Sequence, residues 1–261
     1  MVAVVLWPAD TTYGKMEFVD GGTTRTWEGA ATAGQTTTID SFTQFSVTYT
    51  ENTTVILRAY ARDAAGNWSS ASTSTYTLIA SPQVIAPDAS NHWRLSLFNG
   101  QWNGLGNFRL VQGYFSDSRY NATSLWFYGT KIKDQLWNSG RRTVTSGRIF
   151  AMRADGIGTG AAQNIHLVKH SELTSPGSVS SNAPAPTVST PVVVGTLSTP
   201  SNNPTTASKW LDLPSGWAND VVQGTSRGFG VYVSSGSPYL ALLSVSETGG
   251  FCGSLEISHL G

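Results

Sequence analysis

The pentapeptide Gly224-Thr225-Ser226-Arg227-Gly228 matches the G-x-S-x-G pattern in which a serine hydroxyl is the nucleophile of a hydrolase. That chemistry requires a strand, a sharp turn and then a helix, which together hold the serine above a sheet. Here the residues after the motif, Phe229 to Val233, favour a strand. We therefore expect Ser226 to be no nucleophile, and the glycines to permit close packing where a strand begins.

A second glycine-rich stretch, Gly156-Ile157-Gly158-Thr159-Gly160-Ala161, has the loose spacing of a dinucleotide-binding fingerprint. Such a fingerprint binds a pyrophosphate only between a parallel strand and the N-terminus of a helix. The sequence around it favours neither of these elements. We therefore predict a hairpin loop here and expect no cofactor.

His166 and His170 are four residues apart, a spacing that places two metal ligands on one face of a helix. However, Ile165, Leu167 and Val168 favour a strand, along which residues four apart are separated by roughly 13 Å. One ion cannot bridge that distance. We therefore predict surface histidines and no bound metal.

The remaining reactive residue types are sparse. Asp117, Asp134, Asp155 and Glu172 are the only acidic residues between positions 100 and 200, and no pair stands out as the two carboxyls, about 5–10 Å apart, that a glycosidase needs. Cys252 is the only cysteine, which excludes an intrachain disulfide and favours a buried small apolar residue. The sequence therefore predicts a protein that is not an enzyme.

Tryptophan is the most informative residue type, because nine of them in 261 residues is a high number. Indole rings stack on flat partners such as sugar rings and lose little rotamer entropy in doing so. Trp102 and Trp137 each lie in a predicted polar turn rich in Gly and Asn, and loops often carry function. With their neighbours Asn103 and Asn138 they are our predicted glycan-binding residues. The competing interpretation is that both rings belong to the core.

Charge narrows the range of partners. Only 12% of the residues are charged, and 16 basic residues balance 16 acidic ones. Nucleic acids and anionic membrane surfaces both require a basic excess, so neither is an expected partner. No apolar run reaches the roughly 20 residues of a membrane span, and the N-terminus lacks the basic region of a signal peptide. A neutral, hydroxyl-rich surface suits either neutral glycans or subunit packing.

Short alternating runs bounded by Gly, Asn, Asp and Pro recur along the whole chain, whereas helical periodicity is scarce. This pattern predicts an all-β protein of the sandwich or barrel type. The clearest strand is Thr54 to Arg62, in which Val55 and Leu57 face one way and Ile56 and Arg58 the other.

The segment 82–87 begins and ends with a proline and separates two strand-rich regions. We interpret it as a semi-stiff linker between a domain of residues 1–81 and a domain of residues 88–261. The number of candidate strands in the second region predicts a larger, jelly-roll-like β-sandwich.

The first region contains a hairpin with the residues Tyr60-Ala61-Arg62-Asp63 and Gly66-Asn67-Trp68-Ser69 on either side of its turn. This hairpin resembles the last hairpin of bacterial Ig-like and fibronectin-type repeats. The resemblance covers the second half of residues 1–81 and implies an Ig-like β-sandwich.

The second region carries several short phrases in a characteristic order, namely Val111-Gln112-Gly113-Tyr114, Leu125-Trp126-Phe127-Tyr128-Gly129, Ala151-Met152-Arg153, Leu213-Pro214, Trp217, Gly224-Thr225-Ser226-Arg227-Gly228-Phe229-Gly230 and Gly253-Ser254-Leu255-Glu256-Ile257. In this order they resemble the C-terminal β-sandwich module of minor tail proteins of tailed bacteriophages that infect actinobacteria. That module is similar to carbohydrate-binding domains. The resemblance covers most of residues 88–261 and supplies no catalytic residues.

The resemblance implies a virion protein on the outer surface of the phage particle, at the tail tip or in a fibre. We expect it to contact a host cell-surface glycan and other virion proteins. Two alternatives remain open, a purely structural virion protein for capsid decoration or subunit packing, and a binding module of a secreted bacterial glycosidase. We also expect a homo-oligomer, with a trimer favoured by analogy with fibres, because cyclic symmetry lets weak sites act together.

Overall fold

The computed structural model describes residues 1–47, 49–50, 52–96, 102–105, 109–114, 120–158, 161–176, 178–179, 185–199, 207–234 and 239–260. The chain divides into two compact units. Unit 1 comprises Met1–Ser81, Ser139–Thr145 and His259–Gly261, and unit 2 comprises Pro82–Asn138 and Ser146–Ser258. Strands dominate both units and all the strand pairs with a described register are antiparallel, so the prediction of an all-β protein is confirmed.

Unit 1 contains six strands and one short helix among its described residues, which are β1 (Val2–Leu6), β2 (Tyr13–Asp20), β3 (Thr23–Ala30), β4 (Thr36–Asp40), α1 (Ser41–Phe45), β5 (Thr54–Arg62) and β6 (Ser72–Thr77). They form two antiparallel sheets. One sheet pairs β1 with β4, and the other has the order β3-β2-β5-β6.

The predicted strand at residues 54–62 is confirmed as β5. Val55 is fully buried, and Leu57 packs against the same core as Phe18 and Trp7. The hairpin turn that follows is also confirmed, because the Gly66 amide donates to the Asp63 carbonyl and Gly66 has a φ of 91°. Glycine tolerates this positive φ without steric cost.

Unit 2 contains most of the remaining elements, which are β7 (Ala80–Ile85), β8 (Ala89–Ser96), β9 (Trp102–Leu105), β10 (Leu110–Tyr114), β11 (Tyr120–Phe127), a π-helix (Lys133–Trp137), β12 (Thr143–Gly158), β13 (Gln163–His170), β14 (Ser178–Val179), β15 (Val192–Leu197), β16 (Ser208–Asp212), α2 (Trp217–Gln223), β17 (Gly228–Tyr232), β18 (Leu240–Leu242), α3 (Val245–Thr248) and β19 (Leu255–Leu260). Strands β7, β12 and β19 each contribute residues to both units.

The sheet of unit 2 forks at β11. Along one edge, β11 pairs with β8 over its whole length. Along the other, Thr123–Phe127 pair with β17 and Asn121–Ala122 pair with β10. The branch through β17 continues to β13 and β15, and the branch through β10 continues to β18, β12 and β19. Each branch has a buried apolar cluster, in which Leu125 of β11 packs with Val168 of β13 and Ala122 of β11 packs with Val111 of β10.

Glycines make the close packing beneath this fork possible. A side chain at Gly253 would place its Cβ 2.3 Å from an atom of the Trp126 indole, and Gly253 has a φ of +92°. The fully buried Tyr128 donates its hydroxyl to the Gly253 carbonyl. One closely packed group, next to the start of β19, is therefore formed by Trp126, Tyr128 and Gly253.

The segment 82–87 differs from its interpretation as a linker. Its first four residues continue strand β7, which ends at Ile85. Ile85 is 2% exposed, because alternation along β7 directs this apolar side chain into the protein. Pro82 is tolerated because β7 is the edge strand at one end of the sheet, where proline is accepted.

Candidate functional site: an aromatic sheet face in unit 2

Strand β12 presents two chemically different faces. Ile149, Ala151 and Arg153 are buried, whereas the alternate residues Arg148 and Phe150 remain half-buried. Successive side chains of a strand point to opposite faces of the sheet. Arg148 and Phe150 therefore lie on the outward face of the sheet.

Antiparallel pairing brings a second aromatic ring beside Phe150. Phe150 is opposite Trp210 of β16, and the two ring centroids are 5.3 Å apart with an interplanar angle of 65°. Phe251 contacts Phe150 as well, at 4.6 Å and 63°. Phe251 precedes β19 and is 52% exposed. Three aromatic rings thus form a continuous strip on the outward face of unit 2.

Charged groups border this strip and are held in place. Arg148 forms a bidentate ion pair with Glu256 of β19, with Nε–Oε1 at 2.8 Å and Nη2–Oε2 at 3.0 Å. The Arg148 guanidinium also lies 5.1 Å from the Trp210 ring centroid. The hydrogen bond with Glu256 raises the pKa of Arg148. We call the surface formed by Arg148, Phe150, Trp210, Phe251 and Glu256 the aromatic face.

The aromatic face combines two recognition elements. Its rings offer apolar surface with a polarised π-system, which stacks on flat partners. Its ion pair offers N–H donors and carboxylate acceptors in a fixed geometry. The strand beneath it, β12, has neighbours on both sides, β16 and β19, so its backbone is occupied by the sheet. Recognition at this face must therefore come from side chains.

The G-x-S-x-G motif is not built as a nucleophile elbow. Helix α2 precedes the motif and strand β17 begins at Gly228, the reverse of the order that the elbow requires, so the predicted strand is confirmed. Ser226 is 5% exposed, and its hydroxyl donates to the His170 carbonyl at 2.9 Å. This hydroxyl acts as a link between β13 and the start of β17.

The prediction of surface histidines is wrong for His170, which is 2% exposed. Its Nε2 lies 2.9 Å from the Trp126 carbonyl oxygen, and its Nδ1 accepts a hydrogen bond from the Glu172 amide at 3.2 Å. Burial lowers the pKa of His170 to about 4. The imidazole is buried because Gly228 of β17, which has no side chain, lets it reach across to β11, where it packs at 5.3 Å from the Phe127 ring. His166 is half-buried, and burial lowers its pKa too.

Trp102 and Asn103 were predicted in a turn, but they lie in strand β9. Their backbones pair with Leu95 and Arg94 of β8. The local sequence is rich in Gly and Asn, and the sheet edge provided by β8 overrides that preference. The side chains of Trp102 and Asn103 lie outside the described part of the chain, so their role in glycan binding stays a prediction.

Trp137 and Asn138 lie at the end of the π-helix and not in a simple turn. Trp137 is half-buried and Asn138 is exposed, with its side-chain amide donating to Asp134 at 2.7 Å. Hydrogen bonds from Thr130 and then Asn138 lower the pKa of Asp134. Single-turn π-helices occur frequently at functional sites. Glycan contact by Trp137 and Asn138 stays a prediction, and it is an alternative to binding at the aromatic face.

Sequence reasoning missed the aromatic face because its members are far apart in the chain. The missing information was the register that places Phe150 opposite Trp210, 60 positions later. Phe251 comes from the residues between α3 and β19, which no alternation pattern would have singled out.

The part of the chain that the structure describes holds no group of three or more His, Cys, Asp or Glu side chains positioned to bind a metal ion. Nor does it contain a helix of sufficient length and apolar character to cross a membrane. Cys252 is fully buried, as predicted, and burial raises the pKa of its thiol to about 12.

Comparison with known proteins identifies no relative of this chain. No protein-family model, curated protein or solved structure matches it.

Proposed function

We propose that this protein is a non-enzymatic binding protein whose second unit binds neutral glycans through the aromatic face. The observation that carries the proposal is the strip of three rings, Trp210, Phe150 and Phe251, beside the bidentate Arg148–Glu256 pair. Sugars present apolar C–H surfaces and peripheral hydroxyls. Rings and a fixed donor–acceptor pair match both features.

The electrostatics of the chain support a neutral ligand. The formal net charge is zero, and on the aromatic face Arg148 and Glu256 compensate each other. A compensated pair has little long-range attraction for a charged polymer, but it can still exchange hydrogen bonds with hydroxyl groups. Neutral polysaccharides are therefore favoured over nucleic acids or acidic polymers.

The biological setting of the proposal is the bacteriophage virion. The ordered phrases in residues 88–261 resemble tail modules of actinobacteria-infecting phages, which supports a location on the outer surface of the particle, at the tail tip or in a fibre. In that setting the ligand is a host cell-surface glycan, and the remaining partners are other virion proteins. Avidity from a homo-oligomer, with a trimer favoured, would strengthen weak individual sites.

The strand order of unit 1 supports the Ig-like β-sandwich that the sequence resemblance implies for this part of the chain. In an Ig-like sandwich, strands B and E are neighbours in one sheet, while C, F and G lie side by side in the other and C′ extends it next to C. In unit 1, β1 and β4 take the places of B and E. The order β3-β2-β5-β6 then matches C′-C-F-G.

Two other functions compete with this one. A purely structural virion protein would use the same rings to pack against another subunit, and a module from a secreted glycosidase would bind glycans outside a virion. Glycan binding by the isolated protein separates the first alternative from our proposal. Association with purified phage particles distinguishes our proposal from the second alternative, a module of a secreted glycosidase.

The test is binding of the purified protein to neutral oligosaccharides of glucose, galactose, mannose and arabinose, and to isolated actinobacterial cell walls. We expect Trp210→Ala to weaken binding about tenfold, because a lost stacked ring costs about 0.5–1.5 kcal/mol beyond its lost contact area. Trp137→Ala, at the rival site, serves as the matched control and should bind like the wild type. Both variants must retain the wild-type melting temperature.

Two results would overturn the proposal. One is an absence of wild-type binding to every oligosaccharide and cell wall tested. The other is wild-type affinity in Trp210→Ala together with lost affinity in Trp137→Ala, which would move the site to the π-helix.

A further inference from the structure

Unit 1 has two sheet edges that face a common groove. Within the described residues, β1 pairs only with β4, and β6 pairs only with β5. Each of the two strands therefore has one edge whose backbone groups make no sheet hydrogen bonds. Between them lies a groove of about 900 Å³, lined along one side by residues 1–8 and along the other by β6.

The floor of this groove is an incomplete part of the unit 1 core. Val55 of β5 is fully buried, but Leu57, Ala59 and Ala61, on the same face of the strand, are only partly buried. All three of these partly buried residues line the groove. Inward-facing apolar side chains become fully buried only when another element covers them, and within the described ranges these three are left only partly covered.

Strand β1 also lacks the features that usually protect an open edge. Its five residues, Val2 to Leu6, are all apolar, with Val4 61% and Leu6 66% exposed. In natural proteins, charged residues, prolines or bulges in an edge strand prevent unwanted pairing with other strands. Pro8 is the first such residue, and it follows the strand. An exposed apolar edge without these features favours pairing with another strand.

The groove dictates the chemistry of its occupant. An open strand edge is satisfied by an extended backbone, as in β-strand addition. The lining of β1 and the floor are apolar, whereas β6 contributes the hydroxyls of Ser72 and Ser74. The lining charges Glu17 and Arg58 lie within 3.7 Å of each other and so offset one another. An uncharged strand with apolar side chains at alternate positions is complementary to this surface.

We propose that the groove between β1 and β6 binds an extended, uncharged β-strand donated by a different polypeptide, which pairs with the open edge of β1. The groove extends along eight residues of this chain, which is roughly 26 Å of extended strand. The donated strand would complete the unit 1 core, and its alternate apolar side chains would cover Leu57, Ala59 and Ala61.

The experiment selects ligands for the full-length protein from a displayed library of random nonapeptides. The expected result is a consensus with apolar residues at alternate positions and few charges. Hydrogen exchange should show that a synthetic peptide of this consensus protects amides of β1. Two variants should each weaken its binding at least tenfold, Ala59→Leu by filling the floor and Val4→Lys by placing a charge on the edge.

Thr24→Lys is the matched control, because Thr24 is an exposed residue of β3, the edge strand at the far side of the four-stranded sheet. It should bind the consensus peptide like the wild type. Selection of no alternating consensus, or equal binding by Val4→Lys and Ala59→Leu, would overturn the proposal. Self-association of the wild type that Val4→Lys abolishes, seen by sedimentation velocity, would overturn it in favour of a second copy of this chain as the occupant.

Discussion

Two surfaces of this protein expose apolar side chains, but the backbone beneath them differs. In unit 1, Val2, Val4 and Leu6 lie on β1, whose second edge is open. In unit 2, Phe150 lies on β12, which has neighbouring strands on both sides. Exposed apolar area alone therefore does not indicate which kind of ligand a surface binds. The pairing state of the strand decides whether a partner can bind through its backbone or only through side chains.

The two surfaces also differ in the type of side chain that they expose. Aliphatic residues beside an open edge contribute non-directional burial, while the backbone supplies the directional hydrogen bonds. Aromatic rings beside a fixed ion pair supply both area and direction from side chains alone. We interpret the first surface as an assembly site and the second as a recognition site.

The largest expected effect concerns the packing of Gly253 against Trp126 and Tyr128. Gly253→Ala places a Cβ against the Trp126 indole at a φ of +92°. Overpacking and the positive φ together should destabilise unit 2 by about 4 kcal/mol. Thermal unfolding followed by calorimetry measures the effect. Gly34→Ala in unit 1 is the control, since its φ is +72° but its Cβ would meet no atom within 4 Å, and it should cost about 1–2 kcal/mol.

The buried His170 predicts how stability depends on pH. Its folded pKa of about 4 lies below the ordinary value of 6.5, so between these values the unfolded chain binds a proton that the folded chain does not. This contribution to stability is fully present above pH 6.5 and is lost as the pH falls towards 4, by roughly 3 kcal/mol in total. His170→Gln removes the titrating group, so its melting temperature should fall less than that of the wild type across this range. Parallel curves for the two proteins would contradict this assignment.

Two variants should show that the two surfaces bind their ligands independently, because each should lose one ligand and keep the other. Trp210→Ala should lose about tenfold in glycan affinity, equivalent to about 1.4 kcal/mol, and keep wild-type affinity for the strand peptide. Val4→Lys should show the opposite pattern. Both affinities can be measured by calorimetry on the same preparations. Loss of both ligands in either variant would mean that the two surfaces are not separate sites.

The smallest effect is expected for Ser226, which connects β13 to β17. Ser226→Ala removes the hydrogen bond to the His170 carbonyl and should cost about 1 kcal/mol. The hydroxyl should not react with a fluorophosphonate probe, because it is buried and donates to a backbone carbonyl. Labelling of the wild type that disappears in Ser226→Ala would show that the serine is a nucleophile after all.

The sequence was most informative where structure is local. Alternation from Thr54 to Arg62 predicted β5 and the division of its side chains between two faces, and the residues Asp63 to Asn67 predicted the turn that follows. Both depend on neighbours in the chain. The segment 82–87 was misjudged because its prolines suggested a linker, whereas the burial of Ile85 depends on residues distant in sequence.

The candidate site was harder to predict than β5, because it depends on contacts between residues that are distant in sequence. Trp102 and Trp137 were selected by their Gly- and Asn-rich surroundings, which is local information. The aromatic face depends on the register between β12 and β16 and on the position of Phe251. Neither can be derived from a single sequence, because strands far apart in the chain can pair in several registers.

In the proposed function, Trp210, Phe150 and Phe251 contact a neutral glycan. Hydroxyl-radical footprinting with mass spectrometry tests it directly, using the neutral oligosaccharide that binds best at a saturating concentration. We expect reduced labelling of the exposed Phe251 and of Trp210, with the labelling of Trp137 unchanged. Unchanged labelling of Trp210 and Phe251 together with reduced labelling of Trp137 would contradict it.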